Sequence, residues 1–167
     1  MCGIFAYLGT ELSDGQLETN FAQVGPRGPD FSSFEGVEEG LRLGFHRLAI
    51  MDPTPAGNQP FFLNGASLVC NGEIYNHESL AERYGFIMET GSDCEVILHM
   101  FKRFGLRRTC EELDGVFCFA IVDNGRLFVG RDPIGVRPLF LGWREDIHGQ
   151  IEWLVSSEMK GMHHYCQ

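Results

Sequence analysis

The chain has 167 residues, an apolar content of 44% and a formal net charge of −10. This length and composition suit one domain with a full core, and the acidic balance argues against nucleic acids and anionic membranes as partners. No stretch approaches the ~20 apolar residues of a membrane-spanning helix, no cationic signal peptide opens the chain, and the six cysteines form no Cys-x-x-Cys pair, which together predict a cytoplasmic protein.

The chain opens with Met1-Cys2, followed by an apolar run from Gly3 to Leu8 that is typical of a buried strand. Cysteine is small enough for the initiator methionine to be removed, which leaves a thiol and a free α-amine on one residue. Their reference pKa values of about 8.5 and about 7.7–8.0 allow the amine to act as general base for the thiol. By itself this is a weak signal, since a cysteine beside an apolar strand is usually a small core residue.

The first half of the chain predicts a helix, a strand and a hairpin. Ser13-Asp14 caps the helix, and the Gly- and Pro-rich residues 25–30 end it. Alternation predicts a strand from Leu41 to Ile50. Asn64-Gly65 lies between two apolar runs and predicts a hairpin, with Asn71-Gly72-Glu73 following its second strand. The apolar face of the helix consists of Leu17, Phe21 and Val24.

The second half predicts two helices and further antiparallel strands. Residues 76–84 form a short helix, and the Ser92-x-x-Glu95 pattern predicts a capping box for a longer helix that stops at Gly105. Asn124-Gly125 predicts a second hairpin, and Ile151 to Val155 is a last strand. Strands joined by such short turns must be antiparallel, so we expect one α+β domain over residues 1–167.

Polar clusters interrupt the apolar strands where a purely structural sequence does not need them. For any one cluster taken alone, a turn or a salt bridge is the better interpretation. The clusters are His46-Arg47, Asn58-Gln59, Asn71-Gly72-Glu73, Ser92-Asp93 and Arg131-Asp132.

Taken together, these clusters belong to eight ordered segments that cover nearly the whole chain. The segments are Met1-Cys2-Gly3-Ile4, Arg27-Gly28-Pro29-Asp30, residues 46–50, Asn58-Gln59-Pro60, residues 71–76, residues 91–97, residues 113–117 and residues 130–140. In this order they resemble the class II glutamine amidotransferases, and specifically the glutaminase domain of asparagine synthetase type.

The resemblance implies an N-terminal-nucleophile hydrolase sandwich of four layers, αββα, with two antiparallel sheets. It implies hydrolysis of glutamine to glutamate and ammonia through a Cys2 thioester, with the Asn71 side-chain amide and the Gly72 N–H as oxyanion hole. It implies no cofactor and no metal. The implied contacts with the substrate are Arg47 to the α-carboxylate, Glu73 and Asp93 to the α-ammonium, and the backbone of Leu48 and Ile50.

Two departures from the family pattern affect the expected function. Pro26 replaces the usual histidine before Arg27, which alters that turn and not the nucleophile. The family continues into an ATP-dependent synthetase domain with a phosphate loop, so we expect these residues to form a C-terminally truncated domain that cannot make asparagine alone. Docking on a separate synthetase subunit is favoured over a free glutaminase, and it predicts an exposed apolar patch near the C-terminal residues.

Other interpretations are kept open. A degenerate glutaminase acting as a binding or regulatory subunit is the alternative from another class, and a fragment of a longer protein is a third. His46 is expected to be structural, and three cysteines are expected to be inert core thiols. His163, His164 and Cys166 lack the spacing of metal ligands and are expected to form a frayed tail. The three core thiols are Cys70, Cys94 and Cys118.

Overall fold

The computed structural model describes residues 1–166 and contains nine strands in two antiparallel sheets. The strands are β1 (Gly3–Leu8), β2 (Phe31–Glu38), β3 (Leu41–Arg47), β4 (Phe61–Leu63), β5 (Ala66–Ile74), β6 (Gly115–Asp123), β7 (Arg126–Arg131), β8 (Phe140–Glu145) and β9 (Ile151–Ser156). The α-helices are α1 (Asp14–Ala22), α2 (His77–Tyr84) and α3 (Glu95–Glu112). Sheet A has the order β2-β3-β1-β9-β8, and sheet B has the order β4-β5-β6-β7.

Successive side chains of a strand point to opposite faces, and in sheet B the residues on both faces are apolar. Val69 and Ala120 pack against sheet A, whereas Leu68 and Phe119 belong to the cluster that includes α2 and α3. On the far side of sheet A, Leu17 and other residues of α1 pack with the alternate residues of β1. The result is the four-layer αββα sandwich that the resemblance implied.

The N-terminal strand lies in the middle of sheet A. β1 pairs with β3 on one side, with Gly3 opposite His46, and with β9 on the other. The Ile4 N–H donates to the Ser157 hydroxyl at 2.9 Å, and the Ser157 N–H donates to the Ile4 carbonyl at 3.0 Å. A terminus held on both sides in this way does not fray, so Cys2 has a fixed position at the end of the sandwich.

Four local predictions differ from the structure. β3 ends at Arg47 and not at Ile50, and Asn71-Gly72-Glu73 lies inside β5 instead of after it. No capping box opens α3, because Cys94 is its N-cap and the Glu95 carboxylate accepts N–H bonds from residues 89–90 instead. Gly105 breaks α3 with φ 78°, but the helix resumes as far as Glu112.

Among residues 1–166, no helix is both long and apolar enough to cross a membrane.

Candidate active site

A cavity of about 330 Å³ opens at the end of the sandwich where β1 begins and β3 ends. Sheet B contributes β5 to its wall, and the segment before α3, residues 92–94, lines the cavity next to β5. Of the polar residues along this wall, most had been singled out from the sequence. The cavity is lined by all eight predicted site residues, namely Cys2, Arg47, Leu48, Ile50, Asn71, Gly72, Glu73 and Asp93.

The Cys2 thiol lies against the chain that leaves β3. Its sulfur accepts the Leu48 N–H at 3.4 Å and lies 3.6 Å from the Leu48 carbonyl oxygen. The Cys2 carbonyl accepts from Arg27 Nε at 2.8 Å, so the residue is held on both sides. Burial raises the pKa of the Cys2 thiol, and the Leu48 bond offsets part of that rise. The thiol therefore needs a nearby base to become a nucleophile at neutral pH.

Asn71 places an unused donor in the same cavity. Its side chain is buried, and Nδ2 has no hydrogen-bond partner among residues 1–166. The sulfur of its cross-strand neighbour Cys118 is a weak acceptor, and its contact with the Asn71 side chain offsets part of the rise that burial causes in the pKa of that thiol. A buried donor without a stronger acceptor costs free energy, roughly 1–3 kcal/mol, which a bound acceptor atom would recover.

Gly72 follows with a backbone N–H beside that donor. A side chain at this position would not fit, because its Cβ would lie 2.7 Å from both the Phe117 Cβ and the Val116 carbonyl oxygen of β6. Only glycine lets β5 approach β6 this closely while it borders the cavity. Two donors from consecutive residues can thus face one oxygen atom of a bound molecule.

Arg47 is buried in the wall of the cavity, and its guanidinium already has acceptors. Nη1 donates to the Thr54 carbonyl at 2.8 Å and to the Asn58 side-chain oxygen at 2.6 Å. Nη2 donates to the carbonyls of Met51 and Asp52. The loop after β3 therefore holds this cation in place, and a ligand carboxylate must share or replace those contacts.

The two acidic residues differ in their environment. Asp93 is buried, and its Oδ2 accepts the Ile74 N–H at 2.6 Å, which ties the start of α3 to β5. Glu73 is exposed, and its Oε1 pairs with Arg137 Nη2 at 2.7 Å. Ile50 lines the cavity with a largely exposed side chain.

Two arginines of the site were not among the predicted site residues. Arg27 holds Cys2, and Arg137 lines the cavity beside Glu73. Both lie in segments that carry the family resemblance, residues 27–30 and residues 130–140, but the sequence assigned neither of them a role in the site. The loop that positions Arg137 depends on contacts made after folding.

The predictions for His46, Cys70 and Cys118 agree with the structure, whereas the expected frayed tail is wrong, because Tyr165 and Cys166 pack against a buried cluster that includes Met162. His46 is buried, stacks on Phe21 with ring centroids 3.8 Å apart and hydrogen-bonds through both ring nitrogens, as a structural histidine does. Burial raises the pKa of Cys118 to about 12 and that of Cys70 well above its usual range, so these thiols stay protonated. Among residues 1–166, no three His, Cys, Asp or Glu side chains are grouped to hold a metal ion.

Curated relatives of the chain are asparagine synthetases. It is 38% identical over 172 residues to a probable glutamine-hydrolysing asparagine synthetase of Acanthamoeba polyphaga mimivirus, a match that covers 98% of this chain and 31% of that protein. It is 41% identical over 169 residues to the glutamine-hydrolysing asparagine synthetase of Mus musculus, covering 97% and 29%. The chain thus spans about three tenths of the length of these relatives.

The fold has a counterpart among solved structures, and the family can be stated. The allosteric regulatory enzyme of purine biosynthesis superposes with a TM-score of 0.80 at 23% identity, covering 97% of this chain and 43% of that one. The family model described as a glutamine amidotransferase domain matches residues 1–167. With its αββα fold and a cysteine at position 2, the chain belongs to the class II glutamine amidotransferase domain family.

Proposed function

We propose that this chain hydrolyses the side-chain amide of L-glutamine to glutamate and ammonia through a thioester on Cys2. The observation that carries the proposal is the buried, unpartnered Asn71 Nδ2 in the cavity that also holds the Cys2 thiol. An amide carbonyl attacked by a thiolate becomes an oxyanion, and preorganised N–H donors stabilise that charge. The cavity supplies the nucleophile and the donors together.

The mechanism requires removal of Met1, because only then is the nitrogen of Cys2 an amine. The amine takes the proton of the thiol, and the thiolate forms a bond to the amide carbon of glutamine. Asn71 Nδ2 and the Gly72 N–H stabilise the oxyanion. The C–N bond then breaks, the leaving nitrogen receives the proton from the α-ammonium of Cys2, and ammonia departs. Water attacks the thioester, which releases glutamate and restores the thiol.

Recognition of the amino-acid head group falls to the charged residues of the cavity lining. Arg47 would bind the α-carboxylate, for which a guanidinium fork has the right geometry. Asp93 and Glu73 would accept from the α-ammonium, and the backbone of Leu48 and Ile50 would border the chain of the substrate. The zwitterion therefore enters between one fixed cation and two carboxylates.

The proposed role in a larger assembly is that of the glutaminase half of a glutamine-dependent asparagine synthetase. The curated relatives carry this domain in one chain that is more than three times as long. An ATP-dependent synthetase domain or subunit would receive the ammonia. Support for docking comes from the edge strand β8, where three large apolar residues are exposed near the C-terminal segment. They are Phe140, Leu141 and Trp143.

The test is to measure ammonia and glutamate release by the purified chain, with intact-mass spectrometry of the same sample. We expect loss of Met1 and an activity that Cys2→Ala lowers at least about 10³-fold. The matched control is Cys110→Ala, a half-buried thiol of α3 outside the cavity lining, which should keep the activity. A glutamine-derived electrophile should label Cys2 and not the other thiols.

Two outcomes would contradict the proposal. Activity in a protein that retains Met1 would show that the α-amine is not the base. A processed chain that binds glutamine but releases no ammonia would instead support the non-catalytic, regulatory alternative.

A further inference from the structure

The loop between β7 and β8 fixes Arg137 at the mouth of the cavity. The Asp132 carboxylate accepts the N–H groups of Val136 at 2.8 Å and of Arg137 at 3.1 Å. Burial opposes ionisation of Asp132, but the donated N–H bonds outweigh it and lower the pKa of that carboxyl. Arg131 Nε donates to the Arg137 carbonyl at 2.7 Å. The backbone of Arg137 is therefore held on both sides by ionised side chains.

The Arg137 side chain extends from this loop to Glu73. It is only 12% exposed, and its Nη2 lies 2.7 Å from Glu73 Oε1. Nε is buried without a partner among residues 1–166. Nη1 contacts the Met1 sulfur, which removal of Met1 would take away, whereas the Glu73 pair uses the other terminal nitrogen and would persist.

Glu73 depends on this contact for a defined position. Its side chain is 55% exposed, and Oε2 has no hydrogen-bond partner in the described part of the chain. A solvent-exposed glutamate samples several rotamers, and fixing them costs entropy that a ligand must otherwise supply. Because Arg137 engages Oε1 alone, the second oxygen remains available next to the oxyanion donor Gly72.

We propose that Arg137 is a positioning residue that presents Glu73 to the α-ammonium of the substrate and so contributes to selection of α-amino acids. The inference rests on the proposed function, since it assigns Glu73 to the head group of glutamine. Arg137 acts through Glu73 and touches neither the scissile amide nor the α-carboxylate. Its loss affects only ligands that carry an α-ammonium.

The test compares L-glutamine with 4-carbamoylbutanoate, which keeps the carboxylate and the amide but lacks the α-ammonium. Arg137→Gln should raise the KM for glutamine about tenfold, the size expected for a partly exposed charge-assisted contact, with little change in kcat. The KM for 4-carbamoylbutanoate should stay at the wild-type value. Arg107→Gln is the matched control, since Arg107 pairs with Glu111 on the exposed face of α3.

A second readout separates positioning from general support of the fold. In a Glu73→Gln background, Arg137→Gln should change the KM for glutamine by less than about twofold, because the two residues act as a unit. Arg137→Lys should restore part of the affinity, since an ammonium still pairs with Glu73. Equal weakening of both substrates, a lowered KM for glutamine, or additive effects in the double variant would overturn the proposal.

The same comparison of glutamine with 4-carbamoylbutanoate can be made by binding alone, without turnover. Calorimetric binding of glutamine and 4-carbamoylbutanoate to Cys2→Ala, with and without Arg137→Gln, should show the loss for glutamine alone. A wild-type chain that binds glutamine with this pattern but releases no ammonia would contradict the proposed hydrolysis and leave the role of Arg137 supported. Wild-type hydrolysis combined with equal losses of affinity for both ligands would support the proposed hydrolysis and overturn the proposed role of Arg137.

Discussion

The two sides of the cavity are built differently. On the strand side, Asn71 and Gly72 belong to β5 and Cys2 directly precedes β1, so rigid strands hold the groups assigned to the chemistry. On the loop side, the buried Arg47 sits where β3 gives way to a loop, and Glu73 is exposed and pairs with Arg137 of the loop between β7 and β8. The Asn71 Nδ2 donor of the strand side lacks a partner, whereas the charges of the loop side have partners within the protein.

This difference separates two ways of preparing a site. An unpartnered buried donor is preorganised for charge that develops during the reaction, and nothing has to move when that charge appears. A charge already paired with the protein must exchange one contact for another when a ligand binds, so its net contribution to affinity is smaller. We therefore expect substitutions on the strand side to lower turnover and substitutions on the loop side to weaken binding.

Asn71→Ala, on the strand side, should have the largest effect on turnover. Loss of one oxyanion donor typically costs about 10²–10³ in kcat, and KM should change little because the donor acts on the transition state. The measurement is steady-state ammonia release with glutamine. Asn20→Ala is a control amide outside the cavity lining. Wild-type kcat in Asn71→Ala would mean that Asn71 is an ordinary strand residue.

Arg47→Lys, on the loop side, should produce the opposite pattern. We expect the KM for glutamine to rise by about ten- to a hundredfold with a smaller change in kcat, because an ammonium lacks the planar fork that binds a carboxylate. Thermal unfolding must be measured in parallel, since Arg47 also holds residues 51–58 through its carbonyl contacts. A lysine variant with normal KM would place the carboxylate contact elsewhere.

His46 tests whether the strand that carries Arg47 can be weakened without touching either side of the cavity. Burial lowers the pKa of His46, and the bond with the Phe21 carbonyl offsets part of that shift. The folded state therefore favours the neutral imidazole. Its contribution to stability is fully present above the ordinary pKa of 6.5 and is lost as the pH falls through the lower pKa that His46 has in the folded state. The free energy of unfolding should fall less steeply from about pH 8 to about pH 5 in His46→Asn than in the wild type.

The control for this pH dependence is His148→Asn, since His148 is exposed. It should reproduce the wild-type slope. Equal slopes in the wild type and in His46→Asn would show that His46 does not couple folding to proton uptake.

Much of the site could be predicted because its residues lie next to strong local signals. Cys2 precedes an apolar strand, Asn71 and Gly72 lie on the strand after an Asn-Gly hairpin, and the structure brings all of them to one cavity. The hydrogen bonding of Arg47 could not be predicted, because its acceptors, three backbone carbonyls and the Asn58 side-chain oxygen, acquire their positions when residues 48–58 fold. The role of Arg137 was missed because Asp132 and Arg131 position its loop only in the folded protein.

The misses in the fold also have physical causes. Residues 31–38 form β2, although Ser32-Ser33 and Gly36 interrupt any apolar alternation, because an edge strand needs to bury only one face. Its pairing with β3 also shifts register between Gly36 and Glu38. The capping box before α3 was wrong because a carboxylate with nearby loop N–H donors has more than one way to satisfy them.

The central position of β1 also determines the order of events during synthesis. β3, one of its partners, lies within the first 47 residues, but β9 includes residues up to 156. At about 5–20 residues per second, the ribosome makes that last strand many seconds after the N-terminus has emerged. One edge of β1 therefore stays open through most of translation. A processing peptidase acting on Met1 has this interval before the final strand pairs with β1 and fixes the strand that follows Cys2.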